Sequence, residues 1–588
     1  ILEEARSLSE SLPASRRAKV LAELGDAYLR GDRIDNARDT FASAAQLDAG
    51  MASQAIQEAA CLVDYSAEHC DRAVQLAQSE GGAPDSGVGH SGSNEGSPLG
   101  LLEEGDRAFA ARDYDRAIAL YREALQSDLL PAQQSEAYGH LGEAYYASGQ
   151  YEEAIAAFQT RIDLYEADPT SRGAFPVDIR AALHASDRFD IGKAHFQLGQ
   201  YERAERELAI AARDLDNFLV GGDRFGDSAL GDLTDIAIRD ADIIAVYDLW
   251  QRALVAQNKP LEALNVAERS RARVLDEQIA RRFSDSDSVP VSDRRQLQTT
   301  ARDLDITLVN YSLVRDIHLE RDGDAQAIAL HVWAIAPNGE IHFEAIALDD
   351  FDLEMAIERT LFVTGTGRYG DERQRLHEFL IQPISNYLPD TPDRTVVILP
   401  DESLYLVPFA ALQDADGTYL IEKHPLAIAP SIPFLQRAWQ NRRSPSSWQN
   451  ALVAGNPVMP KVAIAPGEAP VQLAPLPFAE DEAKAIAQLL DVEPLLGGAA
   501  TEPSVTERFA TADIIHLATH GEFNARDGLD SWIALGAAGN EDGLLTAADI
   551  WSQFAASGTP RLQADLVVLS ACVTGRGTLS GDGVIGLS

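Results

Sequence analysis

The chain has 588 residues and a net charge of −43 at neutral pH, too long for one hydrophobic core, so three or four domain-sized units are expected. Its surplus of acids excludes nucleic acid as a general partner, because phosphate binding rests on Lys and Arg. No run approaches the ~20 apolar residues of a membrane-spanning helix.

Lysine is confined to Lys19, Lys193, Lys259, Lys423, Lys461 and Lys484, so arginine supplies nearly all positive charge. That bias fits either a saline habitat, where self-repulsion is screened, or a GC-rich genome. Cys61, Cys70 and Cys572 make no disulfide framework; Cys61 and Cys70 can pair if their helices face each other, but are read as buried thiols in a reducing, cytoplasmic compartment. The chain opens on Ile1 rather than Met and is read as cut at that end, which leaves a preceding export signal open.

Internal repeats dominate the first half. Leu24, Gly25, Tyr28, Ala37, Phe41 and Ala44 are spaced as one tetratricopeptide unit. Gly105, Ala108, Ala117, Tyr121 and Ala124 form another; Leu141, Gly142, Tyr145, Ala154 and Phe158 a third; Ile191, Gly192, Ala204, Leu208 and Ala211 a fourth. A degenerate copy over 240–273 keeps Ala263 and Ala267. Small residues let paired helices approach while Tyr and Phe fill the groove between pairs, so the units must stack. The Gly-Gln-Tyr steps at Gly149–Tyr151 and Gly199–Tyr201 end one helix and begin the next. The expected divisions are N-terminal repeat helices over 1–80, a flexible Gly/Ser-rich linker over 81–98, a repeat array over 99–282 and a second linker over 283–303. Such an array suits capture of a protein or peptide partner, with a spacer or assembly scaffold as the alternative.

From 304 the period changes. ITLVNYSLV, AIALHVWAIA and EIHFEAIAL have strand character, and an amphipathic helix is expected over 371–388. VVILP, LVAGN, IIHLAT and LVVLS then alternate with helical stretches, the rhythm of a mostly parallel sheet with helices on both faces. Gly365, Gly367 and Gly370 match GxGxxG, but no suitable strand precedes them and the segment is read as a loop. No phosphate loop and no paired metal-ligand spacing occurs, so neither cofactor nor metal is expected.

Two motifs carry chemistry. Ile514–Leu517 runs into His520-Gly521, and Leu566–Leu569 into Ala571-Cys572, with Thr574, Gly575 and Gly577 just beyond. The carboxyl ends of parallel strands are where ligands and reactive side chains gather, and an imidazole beside a thiol is what a cysteine nucleophile needs. His516 lies within the apolar run and is read as a buried structural histidine.

These motifs resemble those of caspase-like, clan CD cysteine peptidases. VVILPDESLYLVPFAAL (396–412), YLIEKHPLAIAPSI (419–432), LVAGNP (452–457), DGLLTAADIW (542–551) and GDGVIGL (581–587) narrow the resemblance to the CHAT domains that follow tetratricopeptide repeats in bacterial proteins. The resemblance implies an α-solenoid followed by a caspase-like α/β three-layer domain over 304–588, with its last elements lying beyond Ser588. It implies Cys572 as nucleophile, His520 as general base and later acid, and the N–H groups of Gly521 and Cys572 as oxyanion donors. Ser570 stands where metacaspases carry an acid, so their preference for basic residues does not transfer. Asp401, Glu402 and Asp565 are the candidate pocket acids, each with a turn or strand-end role as the alternative. The expectation is a regulated endopeptidase whose repeats recruit, or are restrained by, a protein partner. The alternative is a non-catalytic scaffold or latent switch on the same fold.

Overall fold

The computed structural model describes residues 97–167, 177–222, 240–271, 293–315, 327–348, 351–362, 370–444, 448–462, 470–522, 524, 528–555, 562–571, 577–580 and 583–586. The expected repeat at Leu24–Ala44, the 81–96 stretch and the GxGxxG loop between 363 and 369 lie outside them. The chain divides into two compact units, Ile1–Ser171 and Arg172–Ser588.

The described part of the first unit is helical: α1 (Pro98–Ala110), α2 (Tyr114–Ala124), α3 (Pro131–Ala147) and α4 (Tyr151–Ala167). α1 starts where the Ser97 hydroxyl accepts the Gly100 N–H at 3.0 Å and Pro98 fills the first turn. α3 ends at Gly149, whose φ of +80° lets the Gln150 N–H return to the Tyr145 carbonyl at 2.8 Å. The repeat positions are the buried ones. Ala117, Tyr121, Ala124, Ala154 and Phe158 are at most 1 % exposed, and the Tyr121 hydroxyl finds Asp106 at 2.7 Å.

The second unit begins with two more helical pairs, α5 (Val177–Gln197) with α6 (Tyr201–Gly222) and α7 (Asp240–Ala256) with α8 (Pro260–Ser270). α9 (Arg294–Leu304) follows. Of the expected linker over 283–303, residues 283–292 lie outside the described residues; from there Asp293 and Gln296 form a capping box that nucleates α9, which buries Leu297 and Ala301.

A five-stranded sheet comes next: β1 (Thr307–Arg315), β2 (Ala327–Ile335), β3 (Ile341–Ala347), β4 (Val396–Leu399) and β5 (Leu426–Ile428), in the order β3-β2-β1-β4-β5. β1–β3 are antiparallel and β1, β4 and β5 parallel. One face packs Leu308, Trp333 and Val397 against Leu208, Leu254 and Leu264 of the repeat helices. The other packs Val309, Val332 and Ile398 against α10 (Leu353–Phe362) and α11 (Gly370–Leu380). The helix expected over 371–388 breaks after Leu380, since Pro383 has no N–H for the next turn, and a 3₁₀ turn covers Gln382–Tyr387.

The repeat-facing side of this sheet also holds a buried polar seam. Arg271 pairs with Glu268 at 3.3 Å, donates to Asn310 Oδ1 at 2.9 Å and reaches the Pro400 and Tyr311 carbonyls. Burial pushes the Glu268 carboxyl up.

α12 (Ile432–Asn441) leads to a second sheet, all parallel, in the order β14-β10-β6-β9: β6 (Ala451–Pro457), β9 (Leu495–Gly497), β10 (Ile514–Ala518) and β14 (Leu566–Ser570). Between β6 and β9 lie the short hairpin β7 (Lys461–Val462)–β8 (Val471–Gln472) and helix α13 (Pro477–Leu490). Leu452, Ala454, Ile515 and Leu517 face α14 (Glu502–Phe509), while Val453 faces α13. One expected sheet is therefore two, both layered with helices: the first half antiparallel and half parallel in its pairings, the second wholly parallel.

Candidate functional site

The carboxyl ends of β6, β10 and β14 line up. Ala518 pairs with Gly455 on one side and Ser570 on the other. The Thr519 N–H extends the ladder to the Ser570 carbonyl at 3.2 Å, and the Thr519 hydroxyl donates to the Ala534 carbonyl at 2.8 Å. His520 is the next residue. The alternation of β10 carries through to it: His516, 5 % exposed, bonds through Nε2 to Glu482 of α13 at 3.0 Å. His520, four residues on, turns to the segment just before α13.

There, His520 Nε2 lies 2.8 Å from the carbonyl oxygen of Ala474. A carbonyl only accepts, so Nε2 carries the proton and the neutral ring keeps its lone pair on Nδ1. The ring is partly exposed. Ala474 was not among the residues picked from the sequence: a backbone carbonyl leaves no side-chain signature.

Beyond the histidine, β11 (Gly521–Glu522), β12 (Trp532–Ala534) and β13 (Leu544–Thr546) form a small antiparallel sheet. The Ala534 N–H donates to the His520 carbonyl at 2.9 Å, across the Gly521–Ile533 pair. This is the non-hydrogen-bonded kind of antiparallel pair, so the Gly521 N–H stays off the β11–β12 ladder.

Cys572, Thr574 and Gly575 lie outside the described residues. In sequence Cys572 follows Ser570 by two positions, as His520 follows Ala518. The hairpin after it, β15 (Gly577–Ser580) with β16 (Gly583–Gly586), lies against the turn Glu402–Leu406.

The three candidate acids fall in two places, Asp401 and Glu402 together and Asp565 apart. Asp401 follows β4 and accepts the Leu313 N–H at 2.9 Å; Glu402, beside it with φ +44°, pairs with Arg315. Asp565 precedes β14 and binds Arg443 Nε and Trp448 Nε1, each at 2.8 Å. At roughly 3.3 Å per strand residue, it sits about 15 Å or more from the exit end of that strand.

Among the described residues no group of His, Cys, Asp and Glu could hold a metal ion, and no helix is long and apolar enough to cross a membrane.

The CHAT domain family matches residues 371–588, and a tetratricopeptide repeat family matches residues 102–170. Tetratricopeptide repeat protein 28 from Homo sapiens is 33 % identical over 157 residues, 25 % of this chain, and the Mus musculus protein is 31 % identical over 157 residues. The chain spans only 6 % of the length of either. Solved structures similar to parts of the chain include one from the functional characterization of Pseudomonas aeruginosa pilF and that of PilW, a type IV pilus biogenesis factor. The first is 15 % identical with TM-score 0.25, covering 48 % of this chain and 95 % of that one. The second is 13 % identical with TM-score 0.27, covering 46 % and 95 %. The repeats imply protein–protein interaction and the CHAT domain a caspase-like fold. The chain thus joins a segment similar to tetratricopeptide repeats, residues 102–170, to a CHAT domain match over residues 371–588.

Proposed function

We propose that the chain is a caspase-like cysteine endopeptidase in which Cys572 is the nucleophile and His520 its base, with the repeats recruiting or restraining a protein partner. One observation carries the reading: β10 and β14 are adjacent, parallel and in register at Ala518 and Ser570, and the two candidate residues each follow two positions later.

An unperturbed thiol is only a few per cent thiolate near neutral pH, so a base must help. With Nε2 committed to Ala474, Nδ1 of His520 takes the thiol proton. The Cys572 sulfur attacks the scissile carbonyl, and the imidazolium returns the proton to the departing amine. Water then releases the acyl group by the reverse exchange. The base contributes about 10²–10⁴-fold. Gly521, its N–H off the neighbouring ladder, is an oxyanion donor, a role worth about 10²–10³-fold. Of the three acids, Glu402 lies on the turn that borders the hairpin following Cys572, which makes it the first pocket candidate to substitute.

The test treats the protein with electrophilic peptides carrying Arg, Lys or Asp at the cleavage position and maps adducts by mass spectrometry. Labelling at Cys572 that disappears in His520→Ala supports the dyad and names the pocket preference. Labelling confined to Cys61 and Cys70 overturns it and leaves a non-catalytic scaffold.

A further inference from the structure

We infer that Asn456 is a positioning residue for His520, acting through the main chain of residues 474–476; the inference rests on the reading of His520 as the base. β6 ends in Gly455-Asn456-Pro457, and its register against β9 shifts between Gly455 and Pro457. Asn456 occupies that irregularity with φ +42°, a left-handed conformation that Asn adopts more readily than most side chains. The carboxamide there uses both ends. Oδ1 accepts the Leu476 N–H at 2.8 Å, and Nδ2 donates to Glu480 Oε2 at 3.0 Å, while Glu480 Oε1 pairs with Lys484 at 2.6 Å.

The chain offers little else to hold. Pro475 and Pro477 have no N–H, so Leu476 supplies the one main-chain donor between Ala474 and Phe478. Pro475 also restricts Ala474 to extended conformations. On the other side the Leu473 N–H donates to the Pro460 carbonyl at 3.2 Å, and Gln472 Nε2 reaches the Met459 and Pro460 carbonyls. The Ala474 carbonyl, which orients His520 at 2.8 Å, is thus anchored before and after itself, and Asn456 is the later anchor. Gly455 makes the arrangement possible. A Cβ there would stand 2.5 Å from the Ala483 Cβ and 2.6 Å from the Ala479 carbonyl, so only glycine lets α13 bring Glu480 within reach.

The chemistry of the pair supplies a rescue. Asn456→Asp keeps the acceptor for Leu476 but sets two carboxylates against each other. Adding Glu480→Gln restores a donor–acceptor pair with its direction reversed and leaves an oxygen for Lys484. Asn456→Gly keeps the left-handed backbone without strain and removes the side chain, so it serves where the charged variant fails to fold.

The experiment uses the full chain with ¹⁵N-labelled histidine, His520 being assigned with His520→Ala, and follows its tautomer and the pH profile of Cys572 alkylation. Native protein is expected in the Nε2–H form. Asn456→Asp and Asn456→Gly are expected to mix the tautomers and slow alkylation at neutral pH about ten-fold, and Asn456→Asp/Glu480→Gln to recover both. An unchanged tautomer in Asn456→Gly, or no recovery in the double variant, overturns the inference. Alkylation unaffected by His520→Ala overturns the dyad instead, and the tautomer still decides the role of Asn456.

Discussion

The Asp565 N–H donates to the Asp513 carbonyl at 2.9 Å, tying the entry end of β14 to that of β10. Arg443 spans the same two residues, with Nη1 2.6 Å from Asp513 Oδ1 and Nε 2.8 Å from Asp565 Oδ2. The register that brings Ala518 beside Ser570 is therefore held at the far end of both strands as well.

The Asp513 carboxyl is held below its ordinary range, first by the N–H groups of Asn450 and Gln449 and then by Arg443. A depressed carboxyl adds stability above its unfolded value and loses it as pH falls through the folded one. Calorimetry from pH 8 to pH 3 should show Asp513→Asn melting below the native protein near neutrality, with the gap closing below about pH 4. Arg443→Gln should lower the midpoint in the same unit; parallel melting curves for native protein and Asp513→Asn at every pH would refute the clamp.

Asp248 behaves in the opposite sense. Burial pushes its carboxyl up to about 7, although Oδ2 accepts the Arg315 N–H at 3.2 Å. A raised carboxyl favours folding below its unfolded value, and that advantage is lost as pH rises through the folded value. Asp248→Asn should gain on the native protein from about pH 4 upward and level off above pH 7, by on the order of a few kcal/mol. Urea unfolding across that range measures it.

Truncating Arg271 should cost far more than replacing its pair. Arg271→Ala strands Glu268, whose side chain is 1 % exposed, and is expected to lose roughly 3–5 kcal/mol. Replacing both with apolar residues of similar volume should lose much less. Equal losses in denaturant titrations would show that the seam is not a coupled pair.

Within the repeats, Gly142 and Gly149 should fail differently. A Cβ at Gly142 would sit 2.7 Å from the Phe158 ring, so Gly142→Ala overpacks the pair by about 1–3 kcal/mol. Gly149 has φ +80° and open space around it, so Gly149→Asn, which tolerates that backbone, should melt close to native. A thermal scan of the two variants separates crowding from backbone strain.

Much of this was legible along the chain because periodicity reports burial. The Gly, Ala and aromatic slots of the repeats are the buried positions of α1–α8, and IIHLA is a fully buried strand ending just before His520. The α9 capping box, Asp293 with Gln296, was overlooked in a segment judged by its Ser- and Asp-rich start. The division into two sheets was also missed, since strand pairing joins residues far apart and one alternation of strands and helices fits either one sheet or two.

The sequence by itself determined the repeat helices and the apolar strands that His520 and Cys572 follow along the chain, because these come from local pattern and side-chain chemistry. Only the tertiary structure decided that β10 and β14 are neighbours in register, that Asp401 and Glu402 are engaged by Leu313 and Arg315, and that Ala474 and Asn456 stand behind His520. Those relationships join main-chain groups and distant residues, and neither leaves a mark in a linear pattern of side chains.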